Sequence, residues 1–262
     1  ENRPILGLPG VSIRKDDGTI HVDERVPCVN DLNMLPFPDR RMVNYKKHEC
    51  ILGSGGLTTT ILSSRGCPFN CRYCFVNIRK YRLRKLENIM EEIRQCISLG
   101  IQEFFFVDDL FNITKKRVID FSKMLLDSQV KIRWSFRGRV DQIDENVLEI
   151  SSRAGCSRIH YGVESGVPSL LQRIGKETDL AMVRRAIRLT RDFGIEVSSN
   201  VMIGLPGETP DQTEQTIKFV LDLPTDYLQA EVFTPYPKTP LYEDGLKTGL
   251  YKKDYWREFA LH

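Results

Sequence analysis

From residue 57 onward, apolar and polar positions fall into two alternating rhythms. Short apolar runs at 58–63, 103–107, 132–136, 158–163, 196–203 and 227–233 predict six strands. Between them apolar residues recur at three- and four-residue intervals, as in Ile89, Ile93, Cys96 and Ile97. That period predicts helices over 86–99, 115–128, 144–154, 180–193 and 210–223. Gly100, Gly155 and Gly194 follow three of these helices, where a left-handed cap belongs. Strands alternating with helices imply parallel pairing through right-handed crossovers. The strands read as apolar on both faces more often than alternating, the pattern of buried parallel strands.

A barrel and an open doubly wound sheet both satisfy this rhythm. The polar residues separate them. Arg65-Gly-Cys67, Asp108-Asp109, Arg137 with Arg139, Glu164-Ser-Gly166, Gly204-Leu-Pro-Gly-Glu208 and Thr234-Pro-Tyr-Pro237 each follow one strand. Chemistry at the carboxyl ends of every strand is the signature of a β/α barrel, whereas an open sheet gathers it at one switch point.

The first 52 residues break the rhythm. Pro4, Pro9, Pro27, Pro36 and Pro38 argue against long regular elements there. A hairpin across Asp17-Gly18 is predicted, pairing residues 11–14 with 19–22. The organisation expected is a lead-in over 1–52, an α/β barrel over 53–245 and the start of a C-terminal extension over 246–262. The chain opens on Glu1 inside a loop-like segment, and a fragment of a longer protein is expected.

Composition changes this picture little. The chain has 262 residues, 41% of them hydrophobic, enough for a sizeable core in one large domain. A net charge of +3 does not argue for nucleic acid, and the basic run 79–85 is too short to add that argument. No apolar run is long enough to cross a membrane and no signal peptide is recognisable, so a cytoplasmic protein is expected. The seven cysteines change it more. Their odd number and crowding speak against a secreted disulfide scaffold and for a metal site. Cys96 and Cys156 sit in apolar or helical contexts and read as small core residues. Cys28 and Cys50 carry no assignment.

The crowded segment reads Arg65-Gly-Cys67-Pro-Phe-Asn-Cys71-Arg-Tyr-Cys74-Phe75. Three thiolates on one short loop can ligate three corners of a four-iron cluster. A structural zinc site would want a fourth Cys or His at short range, and none follows downstream. A C-x3-C-x2-C loop after the first strand of a β/α repeat, with an aromatic before its last cysteine, resembles the radical S-adenosylmethionine (SAM) superfamily. The resemblance covers about residues 50–245. It implies a partial (β/α)6 TIM-like barrel, open on one side, and a 4Fe-4S cluster on Cys67, Cys71 and Cys74. It further implies that the open iron chelates SAM, which is cleaved reductively to a 5′-deoxyadenosyl radical.

The same resemblance implies SAM contacts at the strand ends. Glu164 in Gly162-Val-Glu-Ser-Gly166 can accept from an ammonium or hydroxyl of SAM, and a barrel arginine is its alternative partner. Lys176 can meet the methionine carboxylate or stand as a solvated charge. Asn200 can reach a ribose hydroxyl, and Met202 with Ile203 can wall the adenine. Asp108 and Asp109 follow the second strand, where family members place groups against the SAM amine; one of them can instead cap the helix near Thr114. Arg137 and Arg139 can fork onto a carboxylate or phosphate, or pair with Asp108, Asp109 or Glu164. Tyr73 and Phe75 flank the last cysteine and would shield the cluster. Phe233, opening Phe233-Thr-Pro-Tyr-Pro-Lys-Thr-Pro-Leu-Tyr242, lies in a stretch that resembles the family's barrel closure and equally suits a rigid loop.

Asp31-Leu-Asn-Met-Leu-Pro-Phe-Pro-Asp-Arg40 resembles the connector between a cobalamin-binding domain and a radical SAM barrel. This branch implies a methylase- or cyclase-type transferase acting on an unactivated carbon of a small molecule. Cobalamin would be bound by an upstream domain, since no Asp-x-His-x-x-Gly motif is present, and a flavodoxin or ferredoxin would donate the electron. Two alternatives remain: a methylthiotransferase-like enzyme, and a non-catalytic iron–sulfur or zinc protein that cleaves no SAM.

Overall fold

The computed structural model describes residues 10–23, 29–47, 56–76 and 80–261. Cys28, Cys50, Arg79 and the glycine-rich stretch 53–55 lie outside them. A hairpin opens the described chain: β1 (Ser12–Arg14) pairs antiparallel with β2 (Ile20–Val22). Asp17 accepts from the backbone N–H and the hydroxyl of Thr19, which closes the turn.

The rest is built on a six-stranded parallel sheet. Its strands are β3 (Thr58–Ile61), β6 (Glu103–Phe106), β7 (Arg133–Gly138), β8 (Cys156–Glu164), β9 (Glu196–Ile203) and β10 (Tyr227–Val232), lying side by side in chain order. Between the first two of these runs a small antiparallel ribbon, β4 (Ser64–Arg65) with β5 (Arg82–Leu83). Five helices make the crossovers: α1 (Leu86–Ser98), α2 (Lys115–Asp127), α3 (Glu145–Arg153), α5 (Leu180–Asp192) and α6 (Pro210–Leu221). β3 and β10 remain as edges and the sheet does not close, as the partial barrel requires. Three short helices escaped the periodicity: α4 (Pro168–Arg173), α7 (Pro240–Lys247) and α8 (Tyr255–Leu261). A helix of six to eight residues shows too few turns for a 3.6-residue rhythm to emerge.

Local chemistry sets the helix starts. Thr114, Asp144 and Asp179 each accept a hydrogen bond from an N–H in the first turn of α2, α3 and α5. Thr209 and Gln212 form a reciprocal capping box at α6. Thr114 itself is therefore the cap of α2, and the aspartates at 108 and 109 are free for other work.

The reading of the strands as apolar on both faces is corrected. In β8, Ile159, Tyr161 and Val163 face the helices and are fully buried, while Arg158, His160 and Gly162 alternate with them on the inner face. β7 does the same with Trp134 and Phe136 against Ser135 and Arg137. Helices cover one face only, so the period of two returns. The covered face carries the core, with Cys96 and Cys156 inside it as expected. Its centre is an aromatic nest in which Trp134 meets the rings of Phe106, Phe111, Phe121 and Phe136.

The lead-in is fastened to the barrel by a buried ion triad. Glu92 of α1 accepts from Arg40 at 2.6 Å and from Arg84 at 2.5 Å, with its side chain only 2% exposed. Arg40 also donates to the Thr60 carbonyl of edge strand β3. Among the described residues no helix is long and apolar enough to cross a membrane.

Candidate active site

The cysteine loop begins where β3 ends, and Asp108 pins that junction. Its carboxylate accepts from the Ser63 N–H at 2.6 Å, the Ser63 hydroxyl at 2.5 Å and the Ser64 hydroxyl at 2.8 Å. Burial pushes the Asp108 carboxyl upward in pKa, and the serine bonds oppose it. Asp108 is wholly inaccessible, and its carboxylate holds the loop's root. Asp109 is the neighbour that reaches the cavity described below, and it accepts from the Gly66 N–H at 2.9 Å.

Two helices unseen in the sequence clamp the middle of the loop. The Arg72 N–H donates to the Ile174 carbonyl after α4, and the Arg72 carbonyl accepts from Leu241 of α7. The Arg72 guanidinium also pairs with Asp244 of α7. Gly175, at φ +67°, passes so near that a Cβ there would stand 3.2 Å from the Asn70 carbonyl oxygen. From the other side the buried Arg139 lays its guanidinium 3.7 Å from the Phe69 ring centroid. Arg139 is paired with Asp141, not with Asp108, Asp109 or Glu164.

Cys67, Cys71 and Cys74 are all half-buried and none is in a disulfide. Burial raises the Cys71 thiol above its ordinary pKa, and Lys176 is the strongest opposing influence. Among the described residues no three His, Cys, Asp or Glu side chains converge on a single ion. Three thiols outside any disulfide on one clamped loop, with no fourth ligand beside them among the described residues, suit the corners of a cluster better than one zinc ion. The donor set fits the group.

Beside Cys71 lies a compact polar knot. Glu164 Oε1 accepts from the Tyr73 hydroxyl at 2.9 Å and from Lys176 Nζ at 3.0 Å. Both charged side chains are about nine-tenths buried, so Lys176 is no solvated surface charge, and among the described residues Glu164 pairs with Lys176 and with no arginine. Glu164 ends β8 at φ +68°, next to a register shift between Gly162 and Glu164. A non-glycine residue in that region is uncommon, and a bulge re-aims the side chain that follows it. Gly162 makes the room: a Cβ there would lie 2.2 Å from Glu164 Oε1 and 3.0 Å from Lys176 Nζ. Burial, with Glu164 beside it, lifts the Tyr73 phenol well above its ordinary pKa and keeps it a donor.

A cavity of about 940 Å³ opens at the carboxyl ends of the strands. Tyr73, Cys74, Phe75, Met202 and Phe233 line it together with Asp109. Asn200 lies two residues below Met202 on the same inner face, half-buried, its Oδ1 accepting from Ser198. Phe75 packs on Tyr236, and Tyr236 stacks on Trp256 of α8. Arg65, Arg82, Glu231 and Tyr236 also line the cavity. Arg65 and Tyr236 belong to strand-end clusters visible in the sequence, whereas Arg82 reads there only as part of a basic run, because β4 and β5 are two residues long and carry no pattern.

Comparisons with known proteins agree with this geometry. The pattern of the Radical SAM superfamily matches residues 61–220. An uncharacterized methyltransferase of Pyrococcus horikoshii is 30% identical over 264 residues, covering 99% of this chain and 57% of that protein. The anaerobic magnesium-protoporphyrin IX monomethyl ester cyclase of Rubrivivax gelatinosus is 28% identical, covering 90% of this chain and 43% of that protein. The structure of a radical SAM methyltransferase from Kitasatospora setae, with cobalamin and a [4Fe-4S] cluster bound, superposes with a TM-score of 0.68. It is 20% identical and the match covers 74% of this chain and 40% of that one, a likeness of fold. The chain spans about half the length of the curated relatives it matches.

Proposed function

The chain belongs to the radical SAM superfamily, and from that premise we propose that it is the catalytic barrel of a cobalamin-dependent methylase or cyclase. The observation that carries the reading is the clamped loop of three cysteines, none in a disulfide, beside a large cavity at the strand ends. In this reading Cys67, Cys71 and Cys74 hold three irons of a 4Fe-4S cluster. Bound there, cluster and SAM would supply a one-electron cleavage of the sulfonium to methionine and a 5′-deoxyadenosyl radical, which would take a hydrogen atom from an unactivated carbon and leave as 5′-deoxyadenosine.

The chain's own residues position and shield. Glu164 spends one oxygen on Tyr73 and Lys176, which leaves Oε2 to accept from the SAM ammonium. Lys176 supplies the neighbouring positive charge for the methionine carboxylate. Asn200 serves a ribose hydroxyl, and Met202 with Phe233 offers an apolar wall to the adenine. Phe75, braced through Tyr236, keeps water from the cluster side of the cavity.

Cobalamin enters through an upstream domain that the lead-in connects to the barrel; the methyltransferase and cyclase relatives support this branch. A flavodoxin or ferredoxin delivers the electron. The test is anaerobic reconstitution with iron and sulfide, reduction, addition of SAM, and detection of 5′-deoxyadenosine by mass spectrometry. Product from the native chain and none from Cys71→Ala is the expected outcome. A reconstituted native chain that assembles no cluster returns the thiols to a structural role. The cobalamin branch falls if the longest natural chain, purified anaerobically, takes up no corrinoid.

A further inference from the structure

The cavity wall carries three arginines. Arg40, Arg72, Arg84, Arg139, Arg158 and Arg191 each pair with a carboxylate. Arg65, Arg82 and Arg137 line the cavity, and among the described residues none of them forms an ion pair. Arg65 and Arg82 sit directly opposite one another in the β4–β5 ribbon. Like charges at that spacing repel, so the ribbon carries an unfavourable pair with no internal remedy. Arg82 is only 7% exposed, donates to the Val29 carbonyl at 2.6 Å, and among the described residues its buried Nε has no partner. An unsatisfied buried donor at a cavity is costly unless something else fills its place. Arg137 holds its guanidinium 5.3 Å from the Phe105 ring centroid, with no side-chain acceptor among the described residues.

The acidic groups on the same wall are already engaged. Asp109 accepts from the Gly66 N–H, and Glu231 accepts from Gln229 at 2.5 Å. The remaining lining is mainly apolar, with Leu62, Phe75, Met202, Val232 and Phe233, beside the hydroxyls of Tyr73, Thr234 and Tyr236. SAM brings one carboxylate, and the knot at Glu164 and Lys176, outside the cavity lining, is the place assigned to its amino-acid end. A cavity of about 940 Å³ lies at the top of the range for a single drug-sized ligand, which leaves room for a second molecule. We propose that Arg65, Arg82 and Arg137 form an oxyanion-binding wall, and that the substrate is an apolar molecule carrying a carboxylate or phosphate group. The word substrate here rests on the radical SAM reading; the anion site itself rests on the three arginines.

The test is anaerobic equilibrium dialysis of the reconstituted protein with 2-naphthoate, 2-naphthyl phosphate and neutral 2-naphthamide. The charged probes should bind about tenfold more tightly than the amide, as charge-assisted bonds to guanidinium allow. Tighter phosphate than carboxylate assigns a phosphate ester, and the reverse order assigns a carboxylate. Arg65→Gln and Arg137→Gln should each reduce the preference several-fold, and Arg137→Lys, which keeps the charge but loses the fork, should restore part of it. Equal binding of charged and neutral probes by the native protein overturns the proposal. So does a fall in SAM affinity that matches the fall in naphthoate affinity in both Gln variants, since the arginines would then serve SAM. Anion preference without any 5′-deoxyadenosine would remove the proposed SAM cleavage while leaving the oxyanion wall standing.

Discussion

The two faces of one sheet have opposite characters. On the outer face Phe104, Phe106, Trp134, Phe136, Ile159, Tyr161 and Val163 are inaccessible and packed on helices. On the inner face the same strands and β9 present Phe105, Ser135, Arg137, His160, Gly162 and Asn200, none of them fully buried. Neighbouring residues along each strand thus do different work: one set holds the fold together, the other meets the cavity. A sheet that stays open can keep a polar inner face, because that face borders ligand and water instead of a packed barrel core.

The largest effect should come from the inner side and leave the outer side untouched. Cys71→Ser should abolish cluster absorbance and 5′-deoxyadenosine formation while the far-ultraviolet circular dichroism stays native; loss of the fold would mean that the loop holds the barrel together. The converse change is Trp134→Ala. It empties the aromatic nest and orphans the Ala154 carbonyl that Trp134 Nε1 now serves at 3.0 Å. A loss of about 4 kcal/mol in denaturant unfolding is expected. A loss under about 1 kcal/mol would show that the nest is not the stabilising centre.

Lys176→Met tests whether the two faces are separable. It leaves Glu164 buried without its cation, which should cost about 3 kcal/mol of stability. The SAM dissociation constant should also rise at least tenfold. Stability lost with SAM affinity intact would make the knot purely structural.

The smallest effect is a pH dependence. Burial, and then the charges of Arg158 and Arg137, pull the His160 pKa down to about 4. In the unfolded chain the imidazole titrates near 6.5 and binds a proton that the folded chain refuses. Stability should therefore be indifferent to His160 above pH 6.5, fall as pH drops below it, and level off near pH 4. His160→Asn should flatten that slope in thermal unfolding between pH 4.5 and 7. An unchanged slope would show that other groups carry it.

Much of this was legible before any coordinates. The six strands and the five long helices lie within a few residues of where periodicity puts them, since each long element repeats its pattern several times. The three thiols announce themselves by spacing and Glu164 by its position after a strand, whereas Lys176 follows a helix and was implied only by the family resemblance. Other parts were not readable. α4 and α7 clamp the cysteine loop through Arg72, yet each is too short to show a rhythm, and Pro240 at the start of α7 reads equally as loop. Asp108 and Asp109 are adjacent and chemically identical. One is sealed beneath two serines and the other lines the cavity, a distinction made by strand geometry.

The sequence by itself determined the element order, the parallel crossovers and the cysteine motif, because these depend on local period and on spacing along one segment. Tertiary structure alone decided which face of each strand meets the cavity, and which arginines are paired and which stand unpaired on its wall. Those outcomes depend on contacts between residues far apart in the chain. The Glu164–Tyr73 bond spans 91 positions and the Arg72–Asp244 pair 172, and no local pattern encodes such distances.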